Sequence, residues 1–415
     1  MFDLIIKNAV LETYKKPVHL GILGGKIVKI ESDFQEFSTD NQKVSTNQKI
    51  YDAEGQFVCS GFYESHIHLD KACILDRCDI QEGTLDEAVN ETGKAKKDFT
   101  EDDVFERASR VIEMAIKKGT IGLRTFVETD AKTELRAFNA IKKARDAYAF
   151  AIDIEICAFA QEGLTQHKET QELLEKALSD GADLVGGCPY KDEDPERHIE
   201  MIFDLAEKFN VNVDFHADFD LDPQNSSIPK IVDQTIARNY QGRVSIGHVT
   251  KLAAMSPAER ERMATLLQKA DITLTVLPAT DIFLNGRDYD KLIPRGMVNA
   301  DFLSEIGVNT TISSNNILNA FTPYGDASLL RMANMYANLA QVSKDDQMKD
   351  VYDMITKNAA KLLNKQTEIK LGAPANLVIF EAIDAIEALR TIAQPLAGFK
   401  NGIQTFSNQK AVIFS

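Results

Sequence analysis

Strand-like apolar runs recur at nearly constant intervals through the middle of this chain, and few folds accept that rhythm. The runs Ile121–Val127, Ile152–Phe159, Leu184–Cys188, Val211–Phe215, Val244–Ile246, Ile272–Leu277 and Val308–Ile312 begin 27 to 36 residues apart. That spacing is the length of one strand followed by one helix. The segments between them read as amphipathic helices. Glu101–Lys118 is the clearest: Val104, Ala108, Val111, Ile112 and Ala115 share one face, Thr100 stands at the N-cap and Gly119 lies just past the end. With an earlier strand carrying His66, eight units result, which predicts an α/β fold, a (β/α)8 TIM barrel. An open doubly wound sheet would share the rhythm, but no Gly-x-Gly-x-x-Gly follows a strand to mark a dinucleotide site.

Both ends of the chain differ from this middle. Leu4–Val10, Val18–Leu23 and Lys26–Ile30 read as strands, with Gly24-Gly25 as a hairpin turn between the last two. Ser32–Asn47 is polar and reads as a surface loop. Beyond the barrel, Ala327–Ala340 and Asp346–Leu363 read as helices, and Glu368–Phe380 and Lys410–Phe414 as strands. Neither β-rich end is large enough for a core of its own. The reading is a composite β-sandwich of residues 1–60 with 366–415, beside a barrel of residues 61–365.

Within that frame the histidines sort unusually. Gln56–Cys59 is an apolar strand, Gly61 allows a bend, and His66 and His68 then project the same way from an extended strand. Seven histidines in 415 residues give about 0.1 such His-x-His pairs by chance. Two satisfied structural histidines are the plain alternative. His216 and His248, however, fall at the ends of strands five and six, where barrel enzymes carry their chemistry. The same ends present Arg124 and Glu128, Gln161 and Glu162, Tyr190, Asp218 and Asp220, Asp281, and Ser313 to Asn316. Four of seven histidines facing one mouth point to a first-row metal site.

Composition narrows the partners. A net charge of −16 repels nucleic acid and anionic membrane alike. Five cysteines without a Cys-x-x-Cys pair read as free thiols in a reducing cytoplasm, and no apolar run reaches membrane-spanning length. The expected partner is a small-molecule substrate, in a cytoplasmic protein that could form a homo-oligomer.

The ordered motifs His66-Ile67-His68-Leu69-Asp70-Lys71, Ala158 to Gly163, Val185 to Pro189, Phe215 to Asp218, Gly247 to Thr250 and Leu284 to Arg287 resemble the amidohydrolase superfamily. The closer resemblance is to its cytosine deaminase and N-isopropylammelide isopropylaminohydrolase branch, over nearly the whole chain. The resemblance implies one divalent metal, zinc first with iron or manganese as the other choices, on His66, His68 and His216. It implies that His248 polarises the bond under attack and that Gln161 binds a heterocycle, with Lys71, Phe219, Asp281 and Phe321 as further substrate contacts. Two departures stand out. Asn315 occupies the usual place of a strand-eight Asp, and no carboxylate occurs from Gly307 to Gly325. An amide accepts no proton at neutral pH. Phe219 stands where cytosine deaminases carry a Glu. The expectation is a metal-dependent hydrolase of a carbon–nitrogen bond in a small nitrogen heterocycle or amide, not cytosine, with Asn315 at the catalytic position. The alternative is a degenerate relative that binds a ligand or partner without turnover.

Overall fold

The structure, a computed structural model, describes residues 2–37, 49–411 and 413–414. Eight strands form one parallel sheet in sequence order: Phe62–Ile67, Thr120–Glu128, Asp153–Ala160, Leu184–Gly187, Asn212–Ala217, Val244–His248, Thr273–Val276 and Thr310–Ile312. A parallel bridge between Ile67 and Asn315 joins the first strand to the end of the eighth and closes the barrel. Helices cover the outside. In Glu101–Lys117, the Thr100 side chain accepts from Asp103 N, and Val104, Ala108, Val111, Ile112 and Ala115 are buried, as the periodicity requires.

Gly61 makes the turn into the first strand at φ +82°, where a Cβ would meet Ile121, Gly119 and Val378 at 2.9–3.1 Å. The preceding Phe57–Cys59 belongs elsewhere, pairing antiparallel with Leu377–Phe380. It completes a four-stranded sheet with Pro395–Lys400 and Ile403–Ser407. A second sheet holds Lys26–Glu31, Val18–Leu23, Leu4–Ala9 and Lys49–Asp52. The two sheets share a core in which Leu4, Ile6 and Leu20 pack with Leu377, Ile379 and Phe399.

Several expected elements differ. Lys410, Ala411, Ile413 and Phe414 form no strand, and the C-terminal strands lie earlier. The described residues of the apolar tail have no ladder partner, whereas Pro395–Lys400 is buried throughout. Glu368–Phe380 contributes only Leu377–Phe380, and Asp346–Leu363 breaks into Asp345–Met354 and Lys357–Leu362. Of the predicted loop at Ser32–Asn47, Phe34–Phe37 is a short 3-10 turn, and residues 38–47 lie outside the described residues.

The closing seam is sparse in backbone pairing and rich in side-chain bonds. His68 N donates to Asn315 O at 2.8 Å and Asn315 N to His66 O at 2.9 Å. Ser65 Oγ lies 2.6 Å from Ser313 Oγ and donates to Thr311 Oγ1 at 2.9 Å. Glu64, 2% exposed, accepts from Ser314 N at 3.0 Å. Burial raises its carboxyl to about 7 from 4.5, against the pull of those hydrogen bonds. A carboxyl raised in the folded state holds a proton that the unfolded chain has released. Stability of chelator-treated protein should therefore fall as pH rises from about 4.5 to 7, by up to roughly 3 kcal/mol. Glu64→Gln should flatten that slope in urea titrations, and an unchanged slope would exclude Glu64 as its source.

Candidate active site

The first strand delivers His66 and His68, and the fifth delivers His216, to one point inside the barrel mouth. One nitrogen from each ring lies within 4.8 Å of the others. His66 stacks on His216 with centroids 4.5 Å apart, and Phe126 packs under both at 4.1 and 4.9 Å. Gly247 leaves the space this needs, since a Cβ there would stand 2.8 Å from His66 Cε1. Burial holds all three imidazoles well below their ordinary range, so they are neutral donors. Both nitrogens of His66, Nδ1 of His68, Nε2 of His216 and Oδ1 of Asn315 are buried without a hydrogen-bond partner. Buried polar atoms rarely stay unpaired. This donor set fits a divalent cation, with Asn315 Oδ1 as a neutral oxygen at its side.

His248 closes another side of the site, its Nδ1 2.7 Å from Asp281 Oδ1. Asp281, expected at the substrate, is instead fully buried behind His248. Burial raises its carboxyl while His248 pulls it back down. With Nδ1 engaged, Nε2 is the nitrogen left for the pocket. His248 and Val249 both sit at positive φ, +69° and +54°. For a β-branched residue this is a strained conformation costing about 1–3 kcal/mol, and Val249 N holds it by donating to Ala217 O at 3.0 Å. The other carboxylates of this region are engaged elsewhere. Asp218 accepts from Ser226 Oγ and Ser227 N at 2.5 and 2.8 Å, and Asp220 pairs with Lys251 at 2.9 Å.

Lys71 lines the pocket with its ammonium 2.5 Å from Glu128 Oε1 and 3.4 Å from Gln161 Oε1, over the Phe321 ring at 4.6 Å. Gln161 Nε2 donates to Cys188 Sγ at 3.2 Å, which leaves Oε1 as the amide atom beside Lys71. Phe321 continues into an apolar part of the lining. Phe219 stands edge-on to His248 at 4.6 Å and packs in a cluster with Leu284, Ala320 and Phe321.

Of the charges behind Lys71, Glu128 stands at the strand end where the sequence places it, and the others were not singled out there. Lys96, fully buried, bonds Glu128 Oε2 and lies 2.6 Å from Asp130. Burial alone would raise Glu128, but Lys71 and Lys96 more than offset it and hold it low. Asp70 is pushed up to about 6 by burial and by Glu128, whose N–H it accepts at 2.9 Å. Asp70 continues the two-residue alternation of His66 and His68, a signal present in the sequence. Lys96 has none, since it sits in a turn between helices. Arg124, read at a strand end, lies deeper and pairs with Asp214 at 3.0 Å. Strand two runs four residues past it to Glu128.

The three-His geometry generates a direct test. Purified protein should carry about one equivalent of divalent metal, and His66→Ala or His216→Ala should each lower it severalfold by elemental analysis. Full occupancy in both variants would place the metal elsewhere.

Comparison with known proteins agrees with this architecture. N-isopropylammelide isopropyl amidohydrolase of Pseudomonas sp. (strain ADP) is 27% identical over 410 residues, 97% of this chain and 96% of the relative. Pterin deaminase of Rhizobium rhizogenes (strain K84) is 22% identical over 325 residues, 77% of this chain and 74% of that protein. The crystal structure of 5-methylcytosine deaminase from Klebsiella pneumoniae with 5-fluorocytosine superposes with a TM-score of 0.91 at 26% identity, covering 99% of both chains. The amidohydrolase family model matches residues 111–394, from the helix before the second barrel strand to the C-terminal sheet, and this chain belongs to that family.

Proposed function

We propose that this chain is a zinc-dependent hydrolase of a non-peptide carbon–nitrogen bond in a small nitrogen heterocycle or cyclic amide. One observation carries the reading: unpartnered ring nitrogens of neutral His66, His68 and His216 converge within 4.8 Å of one another, and His68 and His216 line the same pocket as Lys71, Gln161 and His248, the last backed by Asp281. Relatives named for ammelide, pterin and methylcytosine substrates support the substrate class. Zinc suits a set of imidazole nitrogens. His66, His68 and His216 would hold the divalent cation, which would supply Lewis acidity at the pocket.

The chain's own residues divide the remaining work. His248 Nε2, with Nδ1 fixed on Asp281, moves a proton between attacking water and departing nitrogen, since Asn315 cannot accept one. Lys71 offers an N–H to a ring oxygen, and Gln161 Oε1 beside it accepts a ring N–H. Phe219 and Phe321 exclude water and favour an apolar ring face. Five free cysteines suit a reducing cytoplasm. Among the described residues, no helix is long and apolar enough to cross a membrane.

Asn315 favours one second reading, a barrel that binds its ligand without turnover. Metal-supplemented native protein, Asn315→Asp and His248→Gln should be screened side by side on cyclic amides, amidines and ureas, with cytosine included and ammonia release measured. Turnover in the native protein, lost by at least about 10²-fold in His248→Gln, supports the hydrolase with His248 handling the proton. Turnover confined to Asn315→Asp, or silence in all three with metal bound, supports the non-catalytic reading. Cytosine should not be deaminated at a useful rate, because Phe219 offers no proton. Rapid cytosine turnover would refute that role of Phe219.

A further inference from the structure

Beside the inner pocket lies a second, open cavity of about 550 Å³ that the chemistry above leaves unused. Val89, Gln161 and Lys191 line both spaces, so the two are contiguous at the residue that faces the ring. Four lysines converge on it from three separate loops of the barrel mouth. Lys94 and Lys97 come from the helix Leu85–Ala95 and the turn after it, Lys132 follows the second strand, and Lys191 follows the fourth.

Glu162 is the sole carboxylate lining this cavity, and its charge is divided. Oε2 lies 2.5 Å from Lys132 Nζ, and Oε1 lies 3.3 Å from the buried Lys96 Nζ. Lys94 pairs with Glu91 at 2.5 Å, and Lys191 stands 3.8 Å from an almost fully exposed Asp86. Lys97 makes no ion pair among the described residues. Gly93 sits inside the helix Leu85–Ala95, where Ala would be the better helix former. Its missing Cβ faces the cavity 3.5 Å from Lys132 Nζ. A protein of net charge −16 thus gathers an excess of cations on one side of its mouth. Solvated lysines scattered on a surface would not converge from three loops on a concavity that shares Gln161 with the active site. Cations around a concave, partly enclosed space focus the field and attract anions.

We propose that this cavity seats an anionic substituent, a carboxylate or phosphate, carried by the heterocycle whose ring occupies the inner pocket. The ring's placement rests on the hydrolase reading above, whereas the anion site rests on the lysines alone. The substrate class narrows accordingly, to nitrogen heterocycles bearing an oxyanion group outside the ring.

Calorimetry on metal-loaded protein tests this with three probes: uracil, orotate (the same ring with a carboxylate) and inorganic phosphate. The variants are Lys97→Gln and Lys97→Gln with Lys132→Gln, neither touching the groups given chemical roles above. Native protein should bind orotate about tenfold more tightly than uracil, the scale of one or two partly exposed ion pairs. The preference should shrink in Lys97→Gln, nearly vanish in the double variant and weaken with added salt, with uracil affinity unchanged. Phosphate should bind native protein and lose about tenfold in the double variant. If neither uracil nor orotate binds but phosphate does so in a lysine-dependent way, the ring reading fails and the anion site stands. Equal affinities for orotate and uracil, or phosphate binding that is absent or indifferent to both variants, would overturn the proposal.

Discussion

Closure of the barrel between its first and eighth strands is the contact on which the site depends. The two strands share little regular ladder, and the bonds that join them run through the residues of the candidate site. His68 N and His66 O both pair with the backbone of Asn315. The metal-facing histidines are therefore placed by the same hydrogen bonds that make the sheet a barrel. Ser65, Ser313, Thr311 and Glu64 add side-chain bonds where the ladder is short. A register slip at this seam would turn both histidines away from the mouth, because alternate strand residues face opposite sides.

Behind the seam the interior is unusually charged for a barrel core. Arg124 with Asp214, and Lys71 and Lys96 with Glu128, are almost completely buried. Replacing such pairs by apolar residues of similar volume is often neutral or stabilising. Their presence around a pocket argues for a positional task. Glu128 gives one oxygen to each lysine, so displacing Lys71 from its place in the pocket wall would leave Glu128 Oε1 without its cation. Arg107 reinforces this by donating to Asp70 O and Ala72 O, both at 2.8 Å, which pins the loop that carries Lys71.

The neighbouring carboxylates show how tightly proton transfer is confined. Asp218 is tied to Ser226 and Ser227, Asp220 to Lys251 and Asp281 to His248. Of these, only Asp281 reaches the pocket, and it does so through an imidazole. With Asn315 in place of a strand-eight acid, the hydrolase proposed above depends on His248 for its proton transfer.

Much of this was legible in the chain. The strand-plus-helix interval gave parallel strands with crossover helices, and the count of eight units without a dinucleotide motif gave the barrel. The two-residue spacing of His66 and His68, with His216 and His248 at later strand ends, located the mouth. Asn315 and Phe219 were visible as departures because they are identities at positions fixed by strand order. Three things were not legible. Asp281 moved from the substrate to the back of His248 because a helix, Pro278–Leu284, carries it there. Arg124 lies in mid-strand, where its pairing with Asp214 of strand five inside the barrel depends on a contact between separate strands. Lys94, Lys97, Lys132 and Lys191 span about a hundred residues of sequence and meet only through the loops around the mouth. Periodicity reports which way a residue faces along its own element. How far each strand extends, and which loops converge on a cavity, are set by packing between elements, and only the tertiary structure decides them.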